Sequence, residues 1–253
     1  MILSRTILDT RVDCTSYDQV TATVLEWTNL AESRCVCFAN VASVMAGHDS
    51  TQTSSAINAA DLVTPDGMPL VWALRLLGHR KATRVYGPDL TLAVLQMAAN
   101  NGIPVGLYGG SPAALERFIQ AIRSRFPRLE IAYSCSPPFR LLTAEEDERV
   151  TAEINRSGAR ILFVGLGTPK QDRWMHQHKG RVQAVMLGVG AAFDFIGGTK
   201  PQAPRWMMPL GLEWLFRLAT EPRRLAKRYL IQNPRFVLLF LLQFLKLRRF
   251  ESA

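Results

Sequence analysis

The chain has 253 residues, a formal net charge of +9, 48% hydrophobic residues and 20% charged residues, a composition that excludes a disordered protein. Its length allows one large domain, or one domain with an appendage. Four irregularly spaced cysteines, Cys14, Cys35, Cys37 and Cys135, exclude a disulfide framework and predict reduced thiols in a cytosolic protein. Charged residues between positions 5 and 13 argue against a signal peptide.

From about residue 35 to residue 195, short apolar runs alternate with longer helical patterns. This alternation predicts βαβ units and a Rossmann-like α/β fold, with a mainly parallel sheet flanked by helices. Ser111 followed by Pro112, and Thr143 followed by acidic residues, are typical helix starts. The predicted strands are 35–39, 61–64, 105–108, 130–133, 161–164 and 182–187.

The pattern changes after Thr199, where prolines interrupt the sequence and three short helical segments follow, separated by Pro222 and Pro234. We therefore predict an α/β domain over residues 1–198 and a basic, amphipathic helical appendage over residues 199–253.

The appendage carries most of the net charge. Between residues 205 and 249 there are ten basic residues and two acidic ones, so this segment holds +8 of the net +9. Its apolar stretch, residues 236–245, has about half of the roughly 20 residues that are needed to span a bilayer. Basic residues beside such a stretch indicate contact with an anionic membrane surface.

Ligands of open α/β sheets bind at the loops that follow the carboxyl ends of strands. The first such loop contains Thr64-Pro-Asp-Gly67. Asp66 is either a turn or cap residue, which the Pro-Asp-Gly sequence favours by itself, or a general base that accepts the proton of a hydroxyl group. The pattern alone favours the turn.

Two further loops are rich in glycine. One contains Gly165 and Gly167 before a helix predicted near Pro169, an arrangement that suits a phosphate but is also typical of a tight turn. Its glycine pattern is incomplete for a dinucleotide site. The other contains Asp194, which either binds a sugar hydroxyl or caps a helix. His176 and His178 would point to different sides of a helix, so they predict no metal site.

Five segments, in this order, resemble the WecG/TagA/CpsF family of bacterial glycosyltransferases, glycosyltransferase family 26. They are TPDGMPLVW at 64–72, RVYGPDL at 84–90, VGLGTPKQDRW at 164–174, GVGAAFD at 188–194, and APRW, GLEWLFR and EPRR between 203 and 224. The resemblance extends over about residues 36–235. It implies that the α/β domain is catalytic and that the chain is a hexosyltransferase.

The resemblance implies an inverting transfer from a UDP-sugar to an undecaprenyl-diphosphate-linked saccharide. It would serve cell-surface polysaccharide synthesis, in a protein held peripherally on the cytoplasmic face of the plasma membrane. No cofactor and no metal ion are expected, because arginines would supply the positive charge that the departing diphosphate needs.

The resemblance also implies roles for single residues. Asp66 would be the catalytic base. The substrate-binding residues would be Asn40, Gly67, Arg84, Gly167, Gln171, Asp194, Arg217, Arg224, Lys227 and Arg228. Phe38 stands where many relatives have threonine, and Gln202 stands where a basic residue is usual. Because of these differences the resemblance does not decide between two types of donor sugar, N-acetylmannosamine and glucose.

Two other interpretations remain open. One is a nucleotide-sugar-modifying Rossmann enzyme such as an epimerase, against which the incomplete glycine pattern counts. The other is a nonenzymatic basic membrane-binding module. Binding to nucleic acid is not expected, because the charge lies at one end and no nucleic-acid motif occurs. The apolar surface of the appendage is compatible with a homo-oligomer.

Overall fold

The computed structural model describes residues 2–250 and has α/β architecture. The strands are β1 (Ser4–Ile7), β2 (Thr10–Asp13), β3 (Arg34–Ala39), β4 (Leu62–Pro65), β5 (Val105–Gly109), β6 (Ile131–Cys135), β7 (Ile161–Gly165) and β8 (Val185–Leu187). The helices are α1 (Tyr17–Asn29), α2 (Val41–His48), α3 (Thr51–Asn58), α4 (Met68–Leu76), α5 (Gly87–Asn101), α6 (Pro112–Arg125), α7 (Ala144–Arg156), α8 (Lys170–His178), α9 (Ala192–Ile196), α10 (Glu213–Thr220), α11 (Pro222–Lys227) and α12 (Asn233–Phe244).

Six strands form one sheet in the order β4-β3-β8-β7-β5-β6. The pairs β3–β8, β7–β8, β5–β7 and β5–β6 are parallel. The predicted α/β fold with a parallel sheet flanked by helices is therefore confirmed. Strands β1 and β2 form a separate antiparallel pair, in which Ser4 lies opposite Asp13. The sequence pattern does not predict this pair.

The contacts divide the chain into two compact units. The first unit comprises Met1–Ser16, Phe38–Tyr86 and Gln202–Ala253, and the second comprises Tyr17–Cys37 and Gly87–Pro201. The first unit thus contains segments from both sides of the boundary that was predicted near residue 198. The division into residues 1–198 and 199–253 stays a prediction.

The second unit has its core on β5, β7 and β8, whose apolar side chains are almost completely buried. Such burial on both faces is usual for parallel strands covered by helices, and it explains their continuous apolar sequences. Both helix starts that the sequence predicted are present. Ser111 accepts a hydrogen bond from the amide of Ala114, and Thr143 forms a capping box with Glu146.

The C-terminal helix α12 belongs to the first unit and is tied to the β1–β2 pair. The side chain of Gln243 accepts a hydrogen bond from the Leu8 amide at 2.9 Å and donates one to the Thr6 carbonyl at 2.8 Å. Helix α12 buries Phe236 and Phe240. Within residues 2–250, no helix combines the length and the apolar character that crossing a membrane would require.

Candidate functional site

An open pocket lies in the first unit, at the point where β3 and β4 end. The pocket is formed by the starts of α2 and α4, by Arg84, and by the C-terminal segment. The lining residues on which the site depends are Asn40, Asp66, Gly67, Arg84, Glu213, Trp214, Arg217, Arg228 and Tyr229.

Asp66 follows β4 directly, and its amide donates a hydrogen bond to the Ala39 carbonyl at 2.8 Å. This bond fixes the Asp66 backbone beside the end of β3. The N-cap of α4 is Gly67, and this position has no side-chain capping bond, so Asp66 is not the helix cap. A Cβ atom on Gly67 would lie 3.4 Å from the Cβ of Asn40, at the short end of ordinary van der Waals contact. The loop therefore places Asp66 and Gly67 beside Asn40 at the pocket.

Arg84 lies between two carboxylates. Its Nη2 is 2.6 Å from Glu213 and 3.9 Å from Asp66, and its Nε donates to the backbone carbonyl of Asp66. Burial alone would lower the pKa of Arg84, but the charges of Asp66 and Glu213 outweigh burial and raise it. The guanidinium also stacks on Tyr86, 4.2 Å from the ring centroid. Arg84 is therefore a fixed cation beside Asp66.

Tyr86 extends this polar cluster. Burial, followed by the negative charges of Glu213 and Asp66, raises the pKa of its phenol. The phenol therefore stays neutral. Its oxygen accepts a hydrogen bond from Gln202 at 3.4 Å, so Gln202 contacts the cluster around Arg84.

Two further arginines of the pocket come from the C-terminal segment. Arg228 donates to the Oδ1 of Asn40 at 3.3 Å, and its buried Nε has no hydrogen-bond partner among residues 2–250. Burial, together with repulsion from Arg217 and Arg224, lowers the pKa of Arg228. A buried cation with an unpaired donor beside other cations is an unfavourable arrangement that an anionic ligand would relieve.

The other predicted basic residues do not line the pocket. Arg224 forms an ion pair with Glu221 at 2.6 Å, and Lys227 is exposed. Asn40 does line it and forms a capping box with Ser43 at the start of α2. Of the eleven predicted site residues, the structure thus brings together in this pocket Asp66, Asn40, Gly67, Arg84, Arg217 and Arg228.

Three predicted site residues belong to the second unit. Gln171 is buried; its Oε1 accepts from the Gly167 amide at 3.0 Å and its Nε2 donates to the Gly188 carbonyl. This side chain links the two glycine-rich loops. Asp194 accepts from the hydroxyl of Thr199 at 2.9 Å and pairs with Lys200 at 3.1 Å. Roles of these residues in substrate binding stay predictions.

Glu213 is a site residue that the sequence analysis missed. The sequence offered one indication, the negative charge of Glu213, because this residue is one of two acidic residues between positions 205 and 249 of a strongly basic segment. Among the described residues, no group of three or more His, Cys, Asp or Glu side chains is arranged to hold a metal ion. Whether the reaction needs a metal ion is a separate matter, and metal independence stays a prediction.

Asp172 lies beside Gln171 but is almost completely buried. Burial raises its pKa from 3.8 to about 6, although hydrogen bonds to Cys37 and Thr168 oppose the shift. Its Oδ2 has no hydrogen-bond partner among residues 2–250. The ionised carboxylate is thus poorly accommodated at neutral pH.

We expect Asp172→Asn to stabilise the protein at pH 7.5 but not near pH 4. The pKa of Asp172 is higher in the folded protein than in the unfolded chain. The protonated carboxyl therefore contributes stability that is fully present below pH 3.8, and this contribution is lost as the pH rises through about 6. The rise of the Asp172 pKa from 3.8 to about 6 corresponds to roughly 3 kcal/mol, which is the upper limit of the expected gain. Urea unfolding of both proteins at the two pH values measures it. An equal difference in unfolding free energy at both pH values would contradict the assignment.

The family comparison agrees with the ordered segments of the sequence. The family model described as "Glycosyl transferase WecG/TagA/CpsF family" matches residues 5–250, which is nearly the whole chain. The match extends beyond the stretch of 36–235 on which the resemblance was based, and it includes every residue of the pocket described above.

Proposed function

The chain belongs to the WecG/TagA/CpsF glycosyltransferase family, and from this premise we propose that it transfers a sugar from a UDP-sugar to an undecaprenyl-diphosphate-linked saccharide. The family makes it a transferase of cell-surface polysaccharide synthesis that uses a nucleotide-sugar donor and an acceptor. The finer proposal is that the transfer inverts the anomeric centre, needs no metal ion, and uses a donor of the N-acetylmannosamine or glucose type.

The observation that supports this proposal best is the presence of the Asp66 carboxylate and three arginines in one pocket, which Glu213 also lines. Asp66 lines it together with Arg84, Arg217 and Arg228. Glycosyl transfer with inversion needs a base on the side of the incoming hydroxyl and positive charge on the side of the leaving diphosphate. The pocket has both kinds of group.

In the proposed reaction, the acceptor hydroxyl oxygen attacks the anomeric carbon of the donor sugar, and its proton passes to the carboxylate of Asp66. The bond between that carbon and the phosphate oxygen of UDP breaks, and UDP leaves with the bonding electron pair. Arg217 and Arg228 would stabilise the negative charge that forms on the diphosphate.

Binding of UDP in the presence of EDTA tests the donor side of the proposal. We expect titration calorimetry to show tighter binding of UDP than of UMP, because the arginines act on the diphosphate. Failure to bind UDP, together with NAD that copurifies with the protein, would favour the epimerase alternative. Failure to bind UDP with salt-sensitive binding to DNA would favour a nonenzymatic basic module.

Peripheral attachment to the inner face of the plasma membrane is supported by the exposed apolar residues of the C-terminal segment. Leu230, Ile231, Val237, Leu238, Leu241, Phe244, Leu245 and Leu247 are all more than 40% exposed. Exposed basic residues such as Arg223, Lys227 and Arg248 accompany them. Exposed leucines beside cations suit the boundary between acyl chains and anionic headgroups.

We expect Leu238→Glu to weaken binding to phosphatidylglycerol vesicles. A leucine side chain that leaves water contributes about 1.5 to 3 kcal/mol, so its loss lowers affinity roughly tenfold or more. Leu30→Glu is the matched control, because Leu30 and Leu238 are both 60% exposed. Cosedimentation measures both variants. Equal binding by the two variants would contradict attachment through α12.

A further inference from the structure

The carboxylate nearest to Arg84 is not that of the proposed base. Glu213 accepts a hydrogen bond from the Nη2 of Arg84 at 2.6 Å, whereas Asp66 lies 3.9 Å from the same nitrogen. The side chains of Arg84, Glu213 and Asp66 are only 14%, 15% and 20% exposed. Since screening by solvent is weak at such positions, the two carboxylates compete for one guanidinium, and Glu213 has the closer contact.

This competition matters for a base. A carboxylate that is paired closely with a guanidinium binds a proton less readily, which weakens it as a proton acceptor. Without the charge of Glu213, the Nη2 of Arg84 would need to move by only about 1 Å to reach hydrogen-bond distance from Asp66. The contact with Glu213 thus keeps Arg84 from closing on the Asp66 carboxylate.

Glu213 is held firmly in place by the turn that precedes it. Gly211 has a φ of +70°, and a Cβ atom on it would lie 2.5 Å from the ring of Trp72 in α4. The turn is closed by hydrogen bonds from the Gly211 amide to Met208 and from the Leu212 amide to Met207. Helix α10 begins at Glu213, where a negative charge is favourable for the helix dipole.

We propose that Glu213 is a positioning residue of the transfer reaction. It holds the guanidinium of Arg84 so that Arg84 binds the backbone carbonyl of Asp66, and it keeps the carboxylate of Asp66 available to the acceptor hydroxyl. This inference rests on the proposed role of Asp66 as the base. It makes α10 part of the catalytic machinery, although Glu213 acts through Arg84 and does not contact the reacting atoms.

The test compares Glu213→Gln with Glu213→Asp and with the control Glu32→Gln, which breaks the 2.7 Å ion pair of Glu32 with Arg34 outside the pocket. A movement of Arg84 by about 1 Å would misplace or partly neutralise the base, and a change of this size lowers the rate of a reaction roughly 10- to 100-fold. We expect Glu213→Gln to lower kcat by this factor, with the KM for the UDP-sugar changed less than about threefold. Glu213→Asp should recover part of the loss, and Glu32→Gln should have no effect.

A double-mutant cycle shows whether Glu213 acts through Arg84. In an Arg84→Met background, Glu213→Gln should cause little further loss of kcat. Full additivity of the two losses would overturn the proposal. So would a Glu213→Gln variant with an unchanged kcat, or one in which KM alone rises. The proposal would also fail if Glu213→Gln lost as much activity as Asp66→Asn and Glu213→Asp recovered none of it.

A structural readout separates this inference from the proposed function. In a crystal structure of Glu213→Gln, the Nη2 of Arg84 should lie within about 3 Å of the Asp66 carboxylate, because a neutral amide holds a guanidinium less strongly than a carboxylate does. An Arg84 that has not moved would overturn the inference even if the enzyme transfers sugar. If the wild-type protein has no transferase activity, the proposed function fails, whereas the movement of Arg84 can still be observed.

Discussion

Asp66→Asn is expected to lower the rate of sugar transfer by about 10²- to 10⁴-fold, the usual contribution of a general base. The amide has nearly the shape of the carboxylate but cannot take the proton of the acceptor hydroxyl. The Asp66 backbone is fixed by its own hydrogen bond to Ala39, and Gly67 forms the helix cap, so the fold should persist. Steady-state kinetics and thermal unfolding measure the two effects.

The control for this variant is Asp49→Asn. Asp49 forms an ion pair with Arg235 at 2.7 Å in which both side chains are more than 40% exposed, so its removal should cost less than about 1 kcal/mol. Its activity should remain near that of the wild type. Near-native turnover by Asp66→Asn would remove Asp66 from the role of base, and joint loss of activity and folding would make its role structural.

Arg228→Met is expected to reduce kcat/KM by about 10²- to 10³-fold, comparable to the loss of one preorganised charge partner of a leaving group. The same variant should unfold at an equal or higher temperature. Burial and the charges of Arg217 and Arg224 disfavour the guanidinium of Arg228, and apolar replacements of buried charges are often neutral or stabilising. Opposite effects on activity and on stability are thus the signature of a residue that is placed for an anionic ligand.

Arg223→Met is the matched control, since Arg223 is exposed on α11 and is not a lining residue of the pocket. It removes the same charge from the same segment. Equal losses of kcat/KM in the two variants would mean that the net charge of the segment, rather than the pocket position, determines activity. A large loss of stability in Arg228→Met would mean that the arginine serves the fold.

The parallel sheet could be predicted because its central strands are buried on both faces and therefore have continuous apolar sequences. Strands β5 and β7 were located within a residue of their observed ends. The β1–β2 pair could not be predicted from its sequence. Each strand has four residues with polar side chains among them, and part of the support comes from Gln243, more than two hundred residues away in the chain.

The candidate site was only partly predictable for a similar reason. The resemblance brought Asp66, Arg84, Arg217 and Arg228 into one hypothesis, and the structure brings them into one pocket. Glu213 stands 129 positions after Arg84, and no local pattern pairs the two. For Gln171 the sequence motif indicates that the residue is important but not what its side chain contacts. The structure shows that both ends of the side chain form hydrogen bonds with backbone groups of the glycine-rich loops.

A transfer assay tests the central claim most directly. The purified chain is given undecaprenyl-diphosphate-linked saccharide acceptors and a panel of UDP-sugars in the presence of EDTA, and release of UDP is measured together with the lipid-linked product. The account predicts acceptor-dependent turnover with one donor, of the N-acetylmannosamine or glucose type, that Asp66→Asn loses. Turnover by Asp66→Asn at the wild-type rate, or UDP-sugar conversion that does not depend on the acceptor, would contradict it.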